Sequence, residues 1–181
     1  LFKTYILAET NETLCLIDKH AAHERMLYEQ LVEARGSIAA QQLLAPVPVV
    51  LSAAEKTALL QNQPILADAG IELDDFGGNE VLVRAIPADT GTGNVEELIV
   101  EVAQRMVLNH KDTLNEKTEW VLHSVACRAA VKAGDKTTPQ ELLKLAEEIL
   151  NGSMPPFCPH GRPVVLEITR KELEKQFGRL G

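Results

Sequence analysis

Thr13-Leu14-Cys15-Leu16-Ile17-Asp18-Lys19-His20-Ala21-Ala22-His23-Glu24-Arg25 is the stretch on which the fold class turns. Thr13 to Asp18 is an apolar, β-prone run. From about Ala21 to Ala34 apolar residues recur at helical spacing, until Gly36. The period changes from two to 3.6 at Asp18, so a strand runs directly into a helix. The strand end delivers an acid, and the helix start delivers histidine and glutamate. Residues four apart on a helix share a face, with Cβ atoms about 5–6 Å apart. His20 and Glu24 can therefore flank one cation, with Asp18 approaching from the strand. Positive helix N-termini also favour an acid there. Glu29 has rotated off that face and supports the site at most through Arg25. The same residues also describe a capped helix with a solvated first turn, and the motif alone fits both descriptions.

Upstream, Phe2 to Ala8 reads as a strand joined to Thr13–Asp18 by a turn at Asn11-Glu12. Downstream, Gln41 to Ser52 is apolar and extended, and Pro46 and Pro48 restrict it to a sheet edge. Ser52-Ala-Ala-Glu55 is a capping box, and its helix runs towards Asp68 with a break at Pro64. Ile71–Leu73 and Val81–Val83 form a hairpin around Gly77-Gly78. A helix follows from Asn94 to Leu108. The polar stretch Asn109–Lys117 reads as a loop, and the next helix spans Glu119–Ala133, stopped by Gly134. Thr138-Pro139-Gln140-Glu141 caps a further helix, which ends at Asn151-Gly152. Val164–Ile168 is a strand, and Thr169 and Glu172 cap the last helix. The expected class is α+β, with a central block inserted between two outer segments that fold together.

The 181 residues are 45% apolar, enough for one domain or two small ones. No apolar run approaches bilayer-spanning length, and no signal peptide opens the chain. Leu1 in place of Met suggests a segment of a longer protein. Cys15, Cys127 and Cys158 are odd in number and widely spaced, which points to a reducing cytoplasm and away from a disulfide framework. The formal charge of -8 predicts weak binding to DNA by this segment alone.

A second cluster is Cys158-Pro159-His160-Gly161-Arg162-Pro163. Positions i and i+2 of an extended chain point the same way, so Cys158 and His160 make a sulfur–nitrogen pair that zinc accepts. A rigid proline loop around a buried cysteine is the alternative. Cys127, four residues after His123 on a predicted helix, packs as a small apolar group or approaches the metal. Arg128 offers positive charge to a phosphate or to solvent. A phosphate-binding Gly-rich loop and a Gly-x-Ser-x-Gly elbow are both absent from the sequence.

Taken together, these motifs resemble the C-terminal domain of MutL, the DNA mismatch repair protein, of the nicking-endonuclease type. Asp18-Lys19-His20-Ala21-Ala22-His23-Glu24 through Glu29 matches Asp-Gln-His-Ala-x-x-Glu-x-x-x-x-Glu, with Lys19 in place of Gln. Ala126-Cys127-Arg128, Cys158-Pro159-His160-Gly161-Arg162-Pro163 and Phe177-Gly178-Arg179 match the other motifs in order. The resemblance implies a discontinuous dimerisation subdomain, residues 1–44 and 119–181, carrying the endonuclease site. Residues 45–118 would be an external regulatory subdomain. It implies a homodimer and a metal set drawn from Asp18, His20, Glu24, Cys127, Cys158 and His160. Asp18, His20, Glu24 and Arg162 would take part in catalysis, with Glu29 and Arg128 in support. Zn2+ would hold or regulate the site and Mn2+ or Mg2+ would drive turnover. Gln41, Leu44 and Pro46 fit a sliding-clamp-binding motif, alternatively an edge strand with Leu44 packed inward. ATP would bind only a separate N-terminal domain. A mismatch recognition protein would act through the full-length protein, at the nucleoid in the cytoplasm. The competing expectations are a clamp-binding dimerisation scaffold with a structural zinc and, third, a small-molecule metallohydrolase.

Overall fold

A computed structural model describes residues 1–90, 95–133 and 138–179. Contacts divide the chain into two compact units, Leu1–Met26 with Ala133–Gly181, and Leu27–Lys132. Among the described residues, no helix is long and apolar enough to cross a membrane.

The first unit is built on an antiparallel sheet in the order β1-β2-β6, from β1 (Tyr5–Glu9), β2 (Thr13–Asp18) and β6 (Val165–Thr169). The Asn11-Glu12 turn forms as expected, closed by Thr10 N–H donating to Thr13 O at 2.9 Å. β1 starts at Tyr5 rather than Phe2, because Leu1–Thr4 is a turn in which Phe2 and Lys3 have φ of 50° and 58°. One sheet face buries Cys15, and packs Ile17 against Ala21 and Ala22 of α1 (Lys19–Glu33) and Leu145, Ala146 and Ile149 of α6 (Pro139–Leu150). The opposite face is apolar yet open. Leu7 pairs with Leu16, Leu16 with Leu166, and Leu14 with Ile168, so these side chains form one patch. Leu7 is 53% exposed and Leu166 56%. A contiguous apolar patch of this kind marks an interaction surface. The final helix, α7 (Arg170–Gln176), carries the expected Thr169–Glu172 capping box.

The second unit holds the sheet β3-β5-β4, from β3 (Ala40–Val50), β5 (Glu80–Pro87) and β4 (Glu72–Asp75). β3 lies at the edge, as Pro46 and Pro48 require. Val81, Val83 and Ala85 of β5 are fully buried. Their core includes Leu59 of α2 (Ala53–Gln61), Leu98, Ile99 and Val102 of α4 (Val95–Leu108), and Val121, Leu122 and Val125 of α5 (Leu114–Ala133). Pro64 starts a separate helix, α3 (Gln63–Asp68). Gly70 follows at φ 77°, where a Cβ would lie 3.2 Å from Ile38 Cγ2.

α5 begins five residues earlier than the sequence suggested. Thr113 and Glu116 form a capping box inside the polar stretch, with Thr113 N–H donating to Glu116 Oε2 at 2.7 Å. The expected stop at Gly134 and the start at Asn94 lie outside the described residues. The unit boundaries at 26/27 and 132/133 also differ from the expected 44/45 and 118/119. Residues 40–42 pair with β5, and Val121–Ala126 join the second core, so both segments belong to the second unit.

Candidate metal centre

β2 ends at Asp18, whose carboxylate Oδ1 accepts the backbone N–H groups of His20 at 2.9 Å and Ala21 at 3.0 Å. Asp18 is thus the helix cap. Its own N–H donates to Val164 O at 2.9 Å, which fastens the helix start to the loop before β6. Within that loop Cys158 N–H donates to Arg162 O at 2.8 Å, and Gly161 N–H to Cys158 O at 2.8 Å. Gly161 has φ of 79°, a left-handed conformation that glycine adopts without strain.

The two distant motifs meet at Glu24. Its side chain is 0% exposed, and its Oε1 lies 2.8 Å from His160 Nδ1. Its Oε2 lies 3.5 Å from Arg162 Nη2. A solvated first turn is therefore wrong for Glu24. The packing of Ala21 and Ala22 into the first core draws the Glu24 side of α1 inward. Arg162 is held above its ordinary range, first by a hydrogen bond to the Cys158 side chain and then by the charges of Cys158, Glu24 and Asp18. Cys158 is buried. Asp18, Glu24, Cys158, His160 and Arg162 thus form one electrostatic neighbourhood inside the first unit.

His20 sits half-buried in the first turn, close enough to His23 for their charges to oppose each other. Burial pushes the His23 imidazole below its usual value, against the pull of Glu141.

Other candidates lie in the second unit. Cys127 is half-buried on α5, and Glu29 half-buried on the later turns of α1. Arg128 is committed to α4: its Nη1 lies 2.5 Å from Glu97 Oε2 and its Nη2 3.0 Å from Glu101 Oε2. It ties two helices together, and its charge is already met. His123, noted in the sequence only for its spacing from Cys127, is the one fully buried histidine among the described residues. Tyr28 packs edge-on against it at 6.3 Å. Nothing in the local sequence signalled that burial except its place on an apolar helical stretch.

The clamp-motif residues lie on β3. Its pairing with β5 slips between Gln42 and Val47, so residues 43–46 bulge out. Leu44 is fully exposed there, which overturns the alternative of an inward-packed Leu44. The bulge lifts it off the sheet. Gln41 stays paired with Ile86, and Pro46 is exposed.

Fold and site together define a class: an α+β protein of two units, with an open apolar sheet face and a buried carboxylate–imidazole pair at a strand end. Residues 1–137 match the family described as "MutL C terminal dimerisation domain". DNA mismatch repair protein MutL of Caldanaerobacter subterraneus subsp. tengcongensis is 36% identical over 182 residues, covering 99% of this chain and 30% of that protein. The MutL of Methanoculleus marisnigri is 40% identical over 178 residues, covering 97% and 30%. That of Heliobacterium modesticaldum is 39% identical over 181 residues, covering 98% and 27%. The chain belongs to the MutL C-terminal dimerisation domain family. It spans about 30% of the length of these relatives.

Proposed function

We propose that this chain is the dimerising, metal-dependent DNA-nicking part of a mismatch repair protein. The observation that carries the reading is the 2.8 Å contact between Glu24 Oε1 and His160 Nδ1, beside Cys158, Arg162 and the Asp18 helix cap. A buried carboxylate, an imidazole and a thiol are donors that divalent ions accept. Sulfur and nitrogen suit zinc, whereas the carboxylates suit manganese or magnesium. Asp18, His20, Glu24, Cys158 and His160 would hold the ion in the first unit. When bound, the ion supplies Lewis acidity and lowers the pKa of water.

The chain's own residues do the rest. Glu24 Oε1 lies 2.8 Å from Nδ1 of His160, which leaves Nε2 of that ring for ligation or for proton transfer. Asp18 holds the helix start and adds negative charge beside the site. Arg162, 61% exposed yet anchored on Glu24, can pair with a phosphodiester oxygen. The apolar sheet face supports a homodimer. ATP binding and the mismatch recognition partner belong to the rest of the protein, and residues 45–118 to an external regulatory role.

The test is nicking of supercoiled plasmid with Mn2+. Asp18→Asn and Glu24→Gln are each expected to lower the rate by about 100-fold or more. Wild-type nicking by both variants would remove the catalytic assignment.

Leu44 favours a second, compatible reading, a clamp-binding edge. A fully exposed leucine on a proline-bearing bulge is suited to docking in a partner's apolar pocket. Replacing Gln41, Leu44 and Pro46 by alanine should leave stability within about 0.5 kcal/mol, as exposed sites usually do, and abolish capture by the sliding clamp. Unchanged capture would dismiss this reading.

A further inference from the structure

Charge is unevenly shared between the two units. The acidic excess lies almost wholly in the second unit, Leu27–Lys132, and the first is close to neutral. The first unit's cations are also unevenly committed. Arg162 meets Glu24, Lys144 meets Glu148 and Arg170 meets Glu174. Among its described residues, Lys3, Lys171, Lys175 and Arg179 have no carboxylate partner, and three of these four lie between positions 171 and 179.

α7 itself explains why. Its two glutamates are spent elsewhere: Glu172 on the Thr169 cap at 2.8 Å, and Glu174 on Arg170 at 3.1 Å. Lys171 and Lys175, four residues apart, share an exposed face and form no ion pair with the helix's own glutamates. Leu173 and Phe177, also four apart, share another. Each set is offset from the other by two residues, about 160° round the helix. Leu173 adjoins Leu14 and Ile168 of the open sheet face. A second copy covering that face would thus leave the lysines in solvent.

We propose that Lys171 and Lys175 form an anchoring contact for the phosphate backbone of duplex DNA, remote from the metal centre. The contact deepens the nicking reading, on which it rests for the identity of the ligand. β6 links the two places. Val164, at the metal centre, precedes it, and α7 follows it. Six extended steps of about 3.3 Å separate Val164 from Arg170 by about 20 Å. That is roughly six base pairs of duplex. The lysines would grip the backbone half a helical turn from the cut and fix the duplex's direction across the site.

The experiment measures binding of the 181-residue chain to a 30-base-pair duplex between about 50 and 200 mM salt. Each phosphate contact contributes about 0.9 to the slope of log K against log salt. Lys171→Gln with Lys175→Gln should flatten the slope by about 2. Lys171→Arg with Lys175→Arg should restore it. The Gln pair should nick poorly at limiting plasmid and recover at saturating plasmid. An unchanged slope in the Gln pair, or a wild type with no salt-dependent binding, overturns the proposal. A flattened slope in a chain that never nicks would sink the nuclease reading and leave the anchor standing.

Discussion

A carboxylate with none of its side chain exposed is costly to ionise unless a cation meets it. Glu24 meets the Arg162 cation and lies 2.8 Å from the His160 imidazole, and that arrangement gives the centre its chemistry. The two test substitutions probe different things. Asn caps a helix about as well as Asp, so Asp18→Asn removes a charge and keeps the α1 start. Its urea midpoint should stay close to wild type while nicking falls. Glu24→Gln keeps the shape and an acceptor oxygen for His160, but leaves Arg162 without its carboxylate. A parallel loss of stability in Asp18→Asn would assign Asp18 to folding alone. At this scale the sequence showed which side chains carry chemistry. It did not show that Glu24 was buried or that Arg128 was already paired with Glu97 and Glu101. Both depend on residues far along the chain.

Elements were legible wherever their ends are chemically marked. The Ser52–Glu55, Thr138–Glu141 and Thr169–Glu172 capping boxes all form as the sequence indicates. The Thr113–Glu116 box was present in the sequence too, but its polar surroundings read as loop. A contact with no local signature secures the β4–β5 hairpin. Lys56 of α2, itself buried, donates to Asp75 at 2.5 Å, to Gly77 O at 3.1 Å and to Gly78 O at 2.9 Å. Lys56→Met is expected to cost about 2 kcal/mol at neutral pH. The Lys56 hydrogen bond is the main cause that holds the Asp75 carboxyl below its ordinary value. A depressed carboxyl contributes stability in full above its unfolded pKa, about 3.9, and loses it as pH falls through the lower folded value. The difference in urea midpoint between wild type and Lys56→Met should therefore be constant from pH 5 to 7 and shrink below pH 4. A difference independent of pH would mean the contact is packing alone.

At the scale of the whole chain, the dominant fact is an apolar sheet face left uncovered by its own unit. Leu7, Leu14, Leu16, Leu166 and Ile168 share it through the β1-β2-β6 register. Burying such a face supplies roughly 25 cal/mol per Å², and a family named for dimerisation supplies a partner, a second copy. Leu7→Glu with Leu166→Glu places charge at the middle of that face. It should weaken self-association by at least 30-fold, about 2 kcal/mol, seen as a shift to monomer in light scattering. Monomeric variants that still fold would locate the dimer contact here; unshifted dimers would place it elsewhere.

The sequence by itself determined the alternation of strands and helices, the caps, the edge position of the proline-bearing strand and the residue types of the metal centre. Each of these follows from interactions within a few residues, where spacing and chirality leave few choices. Only the tertiary structure decided that Glu24 faces His160, that Leu44 stands clear of its sheet and that residues 40–44 belong to the second unit. Those outcomes depend on which distant segments compete for the same buried space, and no local pattern records that competition.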